Sequence, residues 1–402
     1  MNKNIKRNFL IYSIATLVTS AFAQPLNLKI GVLTDLSGPY ADMAGKGSLA
    51  AAQMAVADFI KQNPGSKIEI LSADHQNKAD IASGIANKWF DQEKVEAIFD
   101  LPNSSVALAV QSIAQAKKKI TITSGAATTE LTGKSCSPTG FHWTFDAYAM
   151  SHGTAKALYQ EGAKSWFLLT ADYNFGHSME KEAESTLLQL GGKIVAKLRH
   201  PFPSTDFSSF LLQAISSKAS AIGLANAGAD TINAIKQASE MGVTKKGQKL
   251  AAFVLFLSDV HSLGLNVAQN LIFTDGFYWD MNAETRAWSQ QFATQREGKM
   301  PTMVQAGVYS AVNHYLKSVK AAGGVDGIKV ANQMKKTKIQ DFFAKNGKLR
   351  NDGRMIHDMY LMQVKTPQES KAPWDYLKVL KTIPADQAYK PLSQSECALV
   401  KK

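Results

Sequence analysis

The sequence predicts an α/β protein built as two doubly wound lobes, and three observations predict it. Short apolar runs alternate with longer segments of helical period. The alternation breaks at a polar stretch near residue 130 and then restarts in the same form. No Gly-, Ser- or Pro-rich linker separates the halves, so several chain crossings rather than one tether must join them.

The first unit is Lys29–Ser48, KIGVLTDLSGPYADMAGKGS. Ile30, Val32 and Leu33 predict a buried strand, and Asp35, Ser37, Gly38 and Pro39 a turn. Leu49, Ala52, Val56, Phe59 and Ile60 then recur at helical spacing. A strand, a polar loop and a helix N-terminus form the first wall of a ligand site in open α/β sheets, because free N–H groups gather there. Strands are next predicted at 67–73, 95–101 and 120–124, with helices at 79–90 and 105–116 between them. The stretch 125–140 is rich in Thr, Ser, Gly and Pro, and 141–145 (FHWTF) is extended. Helix 147–160, strand 165–171, helix 176–190, strand 192–199, helix 207–215, strand 219–225, helix 229–241 and strand 250–257 make the second lobe. After 271–279 (LIFTDGFYW) come a helix carrying Trp288 and Phe292 and another over 302–322, striped by Val304, Val308, Val312, Tyr315 and Val319. Strand-like 355–364 and 374–380 precede a polar tail.

Bulk properties narrow the class. With 402 residues, 45% apolar and 19% charged, the chain has room for two ordinary domains and is neither disordered nor fibrous. Residues 1–23 predict an export signal: Lys3, Lys6 and Arg7, an apolar core over 9–18, then Ala21-Phe22-Ala23 before Gln24. The apolar run is shorter than the roughly 20 residues a spanning helix needs. No cysteine follows the cleavage position, so a lipid-anchored form is not expected. Without those three cations the net charge falls from +12 to +9. The remaining Lys and Arg are scattered, and the cluster Lys117–Lys119 ends a helix, where cations suit the macrodipole. This argues for a solvated surface rather than a nucleic-acid face. Cys136 and Cys397 are an even pair in an oxidising compartment, which favours a disulfide over two independent buried thiols. It would be worth roughly 4–5 kcal/mol in the chain-entropy model.

Catalytic signatures are missing. Gly45-Lys46-Gly47 resembles part of a phosphate loop, but Tyr40 stands where the leading glycine belongs and Gly47 where Ser or Thr should hold the metal. There is no G-x-G-x-x-G after a strand, no G-x-S-x-G elbow and no close histidine pair with zinc spacing. No catalytic residue, metal or cofactor is assigned.

Several segments together resemble a known family. They are KIGVLTDLSGPYADMAGKG, TITSGAATTELTG (121–133), LTADYNFGHSME (169–180), TDGFYWDMNAETRAW (274–288) and RNDGRMIHDMYLMQVK. In order and spacing they are similar to the type I periplasmic solute-binding proteins of ABC transporters, the branched-chain amino acid-binding group. PWDYLKV and the cysteine near the terminus resemble a subgroup linked to aromatic and other small acids. The resemblance implies two Rossmann-like lobes joined by a three-crossover hinge: 24–146 with 280–354, and 147–279 with 355–402. It also implies a monomer that works with an inner-membrane permease.

The resemblance further implies a set of ligand contacts. Met43 follows the first strand, where a thioether packs well on a ring; the alternative is a core methionine. Asn103, Ser104 and Ser105 offer hydroxyls and N–H groups to a carboxylate, or simply cap a helix. Gly125, Ala126, Ala127 and Thr128 resemble the second carboxylate loop, with Ala127 where the family has a ligand-binding Thr and Thr128 beside it. Tyr148, Tyr173 and Phe175 match positions that cover the ligand, and Asn226 and Asp259 also follow strands. Asp259 would either pair with a ligand ammonium or cap the next helix, in which case a plain carboxylic acid fits better. Trp279 either closes the site near the hinge or belongs to the core. Branched-chain amino acids, small amides such as urea, and a sensory module feeding a membrane partner are the rival readings; an α/β enzyme is disfavoured by the missing motifs.

Overall fold

The computed structural model describes residues 25–400; the expected export signal lies outside them. The first half runs β1 (Asn27–Thr34), α1 (Gly45–Gln62), β2 (Lys67–Asp74), α2 (Ala79–Asp91), β3 (Val95–Asp100), α3 (Ser104–Ala116), β4 (Ile120–Thr123) and β5 (Gly140–His142). Its sheet is all parallel in the order β2-β1-β3-β4-β5. The second half runs α4 (Ala147–Gln160), β6 (Ser165–Ala171), α5 (Asn174–Gln189), β7 (Lys193–His200), α6 (Ser208–Ser216), β8 (Ala221–Ala225), α7 (Ala229–Glu240) and β9 (Lys249–Ala252). Its sheet, β7-β6-β8-β9, is parallel as well.

Central strands in such sheets are covered on both faces, so they are buried along their whole length. Residues of β4 and β8 are all buried, and β6 is buried apart from Ser165. The edge strand β7 alternates exposed and half-buried residues, as one covered face requires. Both sheets reverse winding beside their first strand, between β1 and β3 and between β6 and β8. Loops diverge at such a reversal and leave a crevice at the carboxyl ends of the strands. The loops after β1, β3, β6 and β8 therefore mark where a ligand belongs.

After β9 the chain forms α8 (Leu257–Leu263), α9 (Leu265–Ala268) and β10 (Ile272–Asp275), then α10 (Ala283–Thr294), α11 (Met303–Ala322) and α12 (Gly327–Lys336). Helix α11 returns to the first lobe and packs along α1 and on β3. Gly47 allows this approach: a Cβ there would sit 2.2 Å from Gln305 Nε2. That amide donates to the carbonyls of Asp42 and Ala44, fixing the start of α1. A short hairpin, β11 (Lys348–Leu349) and β12 (Met355–Ile356), leads to β13 (Met359–Val364), β14 (Leu377–Ile383) and α13 (Ala385–Ala388). Strands β10, β13 and β14 form a separate antiparallel sheet.

The chain passes between the lobes three times, and the crossings are bonded to one another. Arg354, fully buried, donates from Nη1 to the Phe145 carbonyl at 2.9 Å and from Nε to the Met355 carbonyl at 2.9 Å. Its guanidinium lies 4.6 Å from the Tyr389 ring. His357 Nε2 and the Tyr389 hydroxyl both reach the Thr144 carbonyl. Burial holds His357 down, at about 4, so its ring is neutral. At the second crossing the Gly276 N–H points at Met303 Sδ, 3.0 Å away. Finally, Cys397 in the tail is disulfide-bonded to Cys136, in the loop before β5.

Candidate functional site

The loop after β1 is built around Asp35, which is buried. Its carboxylate accepts from the N–H groups of Gly38 and Tyr40 and from the Asn77 side chain at 2.6–2.8 Å. Met43 is buried in the same apolar cluster as Tyr40, Phe145, Phe175 and Phe256, and its carbonyl accepts from Thr302.

At the end of β3 two consecutive non-glycine residues, Asp100 and Leu101, have left-handed φ of 81° and 54°. Such conformations are costly and persist where surrounding structure enforces them. Here they turn the chain into α3. Asn103 caps that helix, its side-chain oxygen accepting from the N–H groups of Ser105 and Val106. Ser104 Oγ accepts from Thr128 N at 3.3 Å, so the loops after β3 and β4 are joined. Around this junction the carbonyls of Ala126 and Ala127 are taken by His142 and by the Ala147 N–H. The Gly125 N–H bonds the Asp100 carbonyl, and the Thr128 hydroxyl accepts from Glu130 N. The N–H groups of Ser104, Ala126 and Ala127 find no acceptor among the described residues, although all three residues are about 1% exposed. Buried N–H groups are nearly always paired. Three such groups lie together here, one of them on the first turn of a helix, where backbone N–H groups are free to donate.

Across the Ser105–Asn174 contact the second lobe carries a cluster of rings. Tyr173 stacks on Phe202 at 4.6 Å between centroids, and Phe175 lies 5.8 Å from Tyr173. Asn226 is turned inward: its amide meets His200, and its oxygen accepts from Thr231. Asp259 is 1% exposed and accepts from the Phe256 N–H at 2.9 Å, at the start of α8. Burial raises this carboxyl to about 7. Tyr148 stacks on His152 at 4.9 Å and lines a 300 Å³ cavity between α4 and the tail. Trp279 donates its indole N–H to the Trp374 carbonyl beside the second crossing.

The expected residues thus fall into groups. Ser104, Gly125, Ala126, Ala127 and Thr128 share one junction, and Tyr173 and Phe175 cluster on the facing lobe. Ser105 reaches across, donating to Asn174 at 2.9 Å. Asn103, Asn226, Asp259 and Trp279 use their polar atoms within the fold. Tyr40 and Phe202 were not anticipated: their rings stack across the cleft at 5.4 Å, and the Tyr40 hydroxyl meets that of Tyr173. The only hint of them is an aromatic residue beside proline in SGPYA and HPFPS. Among the described residues no group of three or more His, Cys, Asp or Glu is placed to hold a metal, and no helix is long and apolar enough to cross a membrane.

Known proteins share this fold. A family model described as periplasmic binding protein matches residues 27–371. A solved periplasmic binding protein from Burkholderia mallei is 49% identical, the match covering 93% of this chain and 99% of that one, with a TM-score of 0.91. A branched chain amino acid ABC transporter periplasmic ligand-binding protein from Burkholderia xenovorans LB400 is 42% identical over 93% of this chain and 100% of that one, with a TM-score of 0.83. An ABC-transporter solute-binding protein from R. palustris, solved in complex with benzoate, shares the fold at 21% identity, with 92% and 99% coverage and a TM-score of 0.81. Fold, matched length and identity agree: the chain belongs to the type I periplasmic binding protein family, the substrate-binding proteins of ABC transporters.

Proposed function

We propose that this protein is exported, with cleavage after Ala23, captures a small aromatic carboxylate between its lobes and delivers it to an inner-membrane ABC permease. The lobes in this reading are 24–146 with 280–354, and 147–279 with 355–402. The supporting observation is the set of unpaired N–H groups on Ser104, Ala126 and Ala127, which suits a carboxylate, with the rings of Tyr173 and Phe175 on the segment that Ser105 contacts through Asn174. Asp259 supports an acid without an ammonium group, because its carboxylate is bonded to its own helix start and burial favours its neutral form. The benzoate-bound R. palustris protein has the same fold, which is compatible with this ligand class. No catalytic step is included in the proposal.

A second reading, a branched-chain amino acid, is favoured by one group. Asp230 is buried at the start of α7; Oδ1 accepts from the Ser204 N–H, while Oδ2 has no hydrogen-bond partner. It lies near both Tyr40 and Tyr173. Burial raises its carboxyl to about 7, as for Asp259, but its unbonded oxygen leaves room for an ammonium that would draw it back to the charged form. A thermal-shift screen of the mature protein decides between them. A ligand of the folded form adds RT ln(1 + [L]/Kd), about 2.7 kcal/mol at a hundredfold excess over Kd. A rise with benzoate-like acids and none with leucine supports the first reading. A rise confined to leucine-like amino acids, lost in Asp230→Asn, replaces it with the second.

A further inference from the structure

Direct contacts join the two lobes along one seam. The Pro39 carbonyl accepts from the N–H of Ala229, the first residue of α7, at 3.1 Å. That places a partial negative charge at the positive end of the helix. Beside it, Tyr40 bonds Tyr173 and stacks on Phe202. Further along the seam Ser105 bonds Asn174, and the Thr129 N–H donates to Ser178 Oγ at 3.1 Å. The loop carrying Pro39 and Tyr40 is already fixed by Asp35, so little freedom is lost when it docks. The fit is backbone against backbone. Gly228 has φ of +59°, and a Cβ there would sit 2.3 Å from the Pro39 carbonyl oxygen and 3.0 Å from the Tyr40 ring. No side chain at position 228 is compatible with full closure.

We infer that the Pro39–Tyr40 loop and its receptor around Gly228 and Phe202 form a lock that populates the closed form without ligand. Tyr40 and Gly228 then act as positioning residues that set affinity through the closed fraction. A receptor that is closed only part of the time binds with its intrinsic Kd divided by the closed fraction. Loss of the lock lowers that fraction, so apparent affinity weakens by the same factor for every ligand alike.

The lock is tested on the mature protein without ligand, by small-angle X-ray scattering of the wild type, Gly228→Ala, Tyr40→Ala and Tyr40→Phe. The wild type is expected to be compact, and the two alanine variants expanded. Tyr40→Phe, which keeps the stacking on Phe202, is expected to lie between. Circular dichroism and melting temperature show whether each variant is folded, since alanine at a positive φ strains residue 228 in any state. A wild type as expanded as the alanine variants overturns the lock. So does a folded Tyr40→Ala, whose backbone carries no such strain, that stays as compact as the wild type. Because no ligand enters this measurement, failure of the aromatic-acid reading leaves its outcome unaffected.

Discussion

Replacing Arg354 by Met should loosen the hinge more than any surface change, and its size follows from the contacts. Arg354 is fully buried and serves two backbone carbonyls, Phe145 and Met355, from different crossings. Methionine fills similar space but leaves both carbonyls without their donor, at about 1–3 kcal/mol each. The loss of the cation over the Tyr389 ring adds about 1–2 kcal/mol at a desolvated site. Asp146, 3.8 Å from the guanidinium, also loses its nearest cation. Against this, the wild type buries a charge whose Nη2 has no partner, a cost that methionine relieves. The balance is a loss of about 3 kcal/mol, within the range for breaking a buried charged contact. With a urea slope of about 3 kcal/mol per molar, the unfolding midpoint falls by about 1 M. Arg354→Lys, which keeps the charge but not the two-pronged reach, should lose about half as much. A midpoint within 0.3 M of the wild type, roughly 1 kcal/mol by that slope, would refute the reasoning, because it would mean the two carbonyls need no donor.

Three further outcomes are expected. Burial, with Asp259 nearby, raises the Asp275 carboxyl from its usual 3.8 to about 8, so the folded state prefers it protonated and loses stability as pH rises from the ordinary carboxylate range up to that value. Asp275→Asn keeps an acceptor for the Phe277 N–H, and its melting temperature should gain on the wild type from pH 5 to pH 9; a constant gap contradicts this. Asn103→Ala removes the α3 cap and should cost about 1 kcal/mol of stability, whereas weaker ligand binding at unchanged stability would make Asn103 a contact residue instead. Reducing the Cys136–Cys397 bond should lower stability by about 4–5 kcal/mol, and the Cys136→Ser, Cys397→Ser double variant should be as unstable and indifferent to reductant.

Alternation of strands and helices was readable from sequence because the central strands are covered on both faces and so are continuous apolar runs. The same runs misled at their ends. The expected strand 250–257 is a strand only as far as Ala252; Phe253–Phe256 continue buried, and Leu257 opens α8. The last strand begins at Leu377 rather than Trp374, whose φ of 68° excludes it from a strand. Helix α12 leaves a weak mark in the sequence because it is short and buries only Gly327, Val330, Ala331 and Met334. At the site, Asn103, Thr128 and Asp259 are residue types that serve capping and ligand binding equally well, and composition cannot choose between the two. Orphan N–H groups leave no mark in the sequence at all. Tyr40 and Phe202 became visible only when the fold brought the two loops together.

The disulfide has a consequence for how the molecule comes apart. It joins residues 261 positions apart, so everything from α4 to α13 lies on a covalent ring. Exposed segments such as Thr205–Asp206 and Thr244–Gly247 fall inside it. A protease that cuts one of them opens the ring without releasing a piece. The nicked protein should migrate at full mass on a denaturing gel until thiol is added, then separate into two fragments. In an environment rich in proteases, one cut therefore leaves both lobes tied to each other.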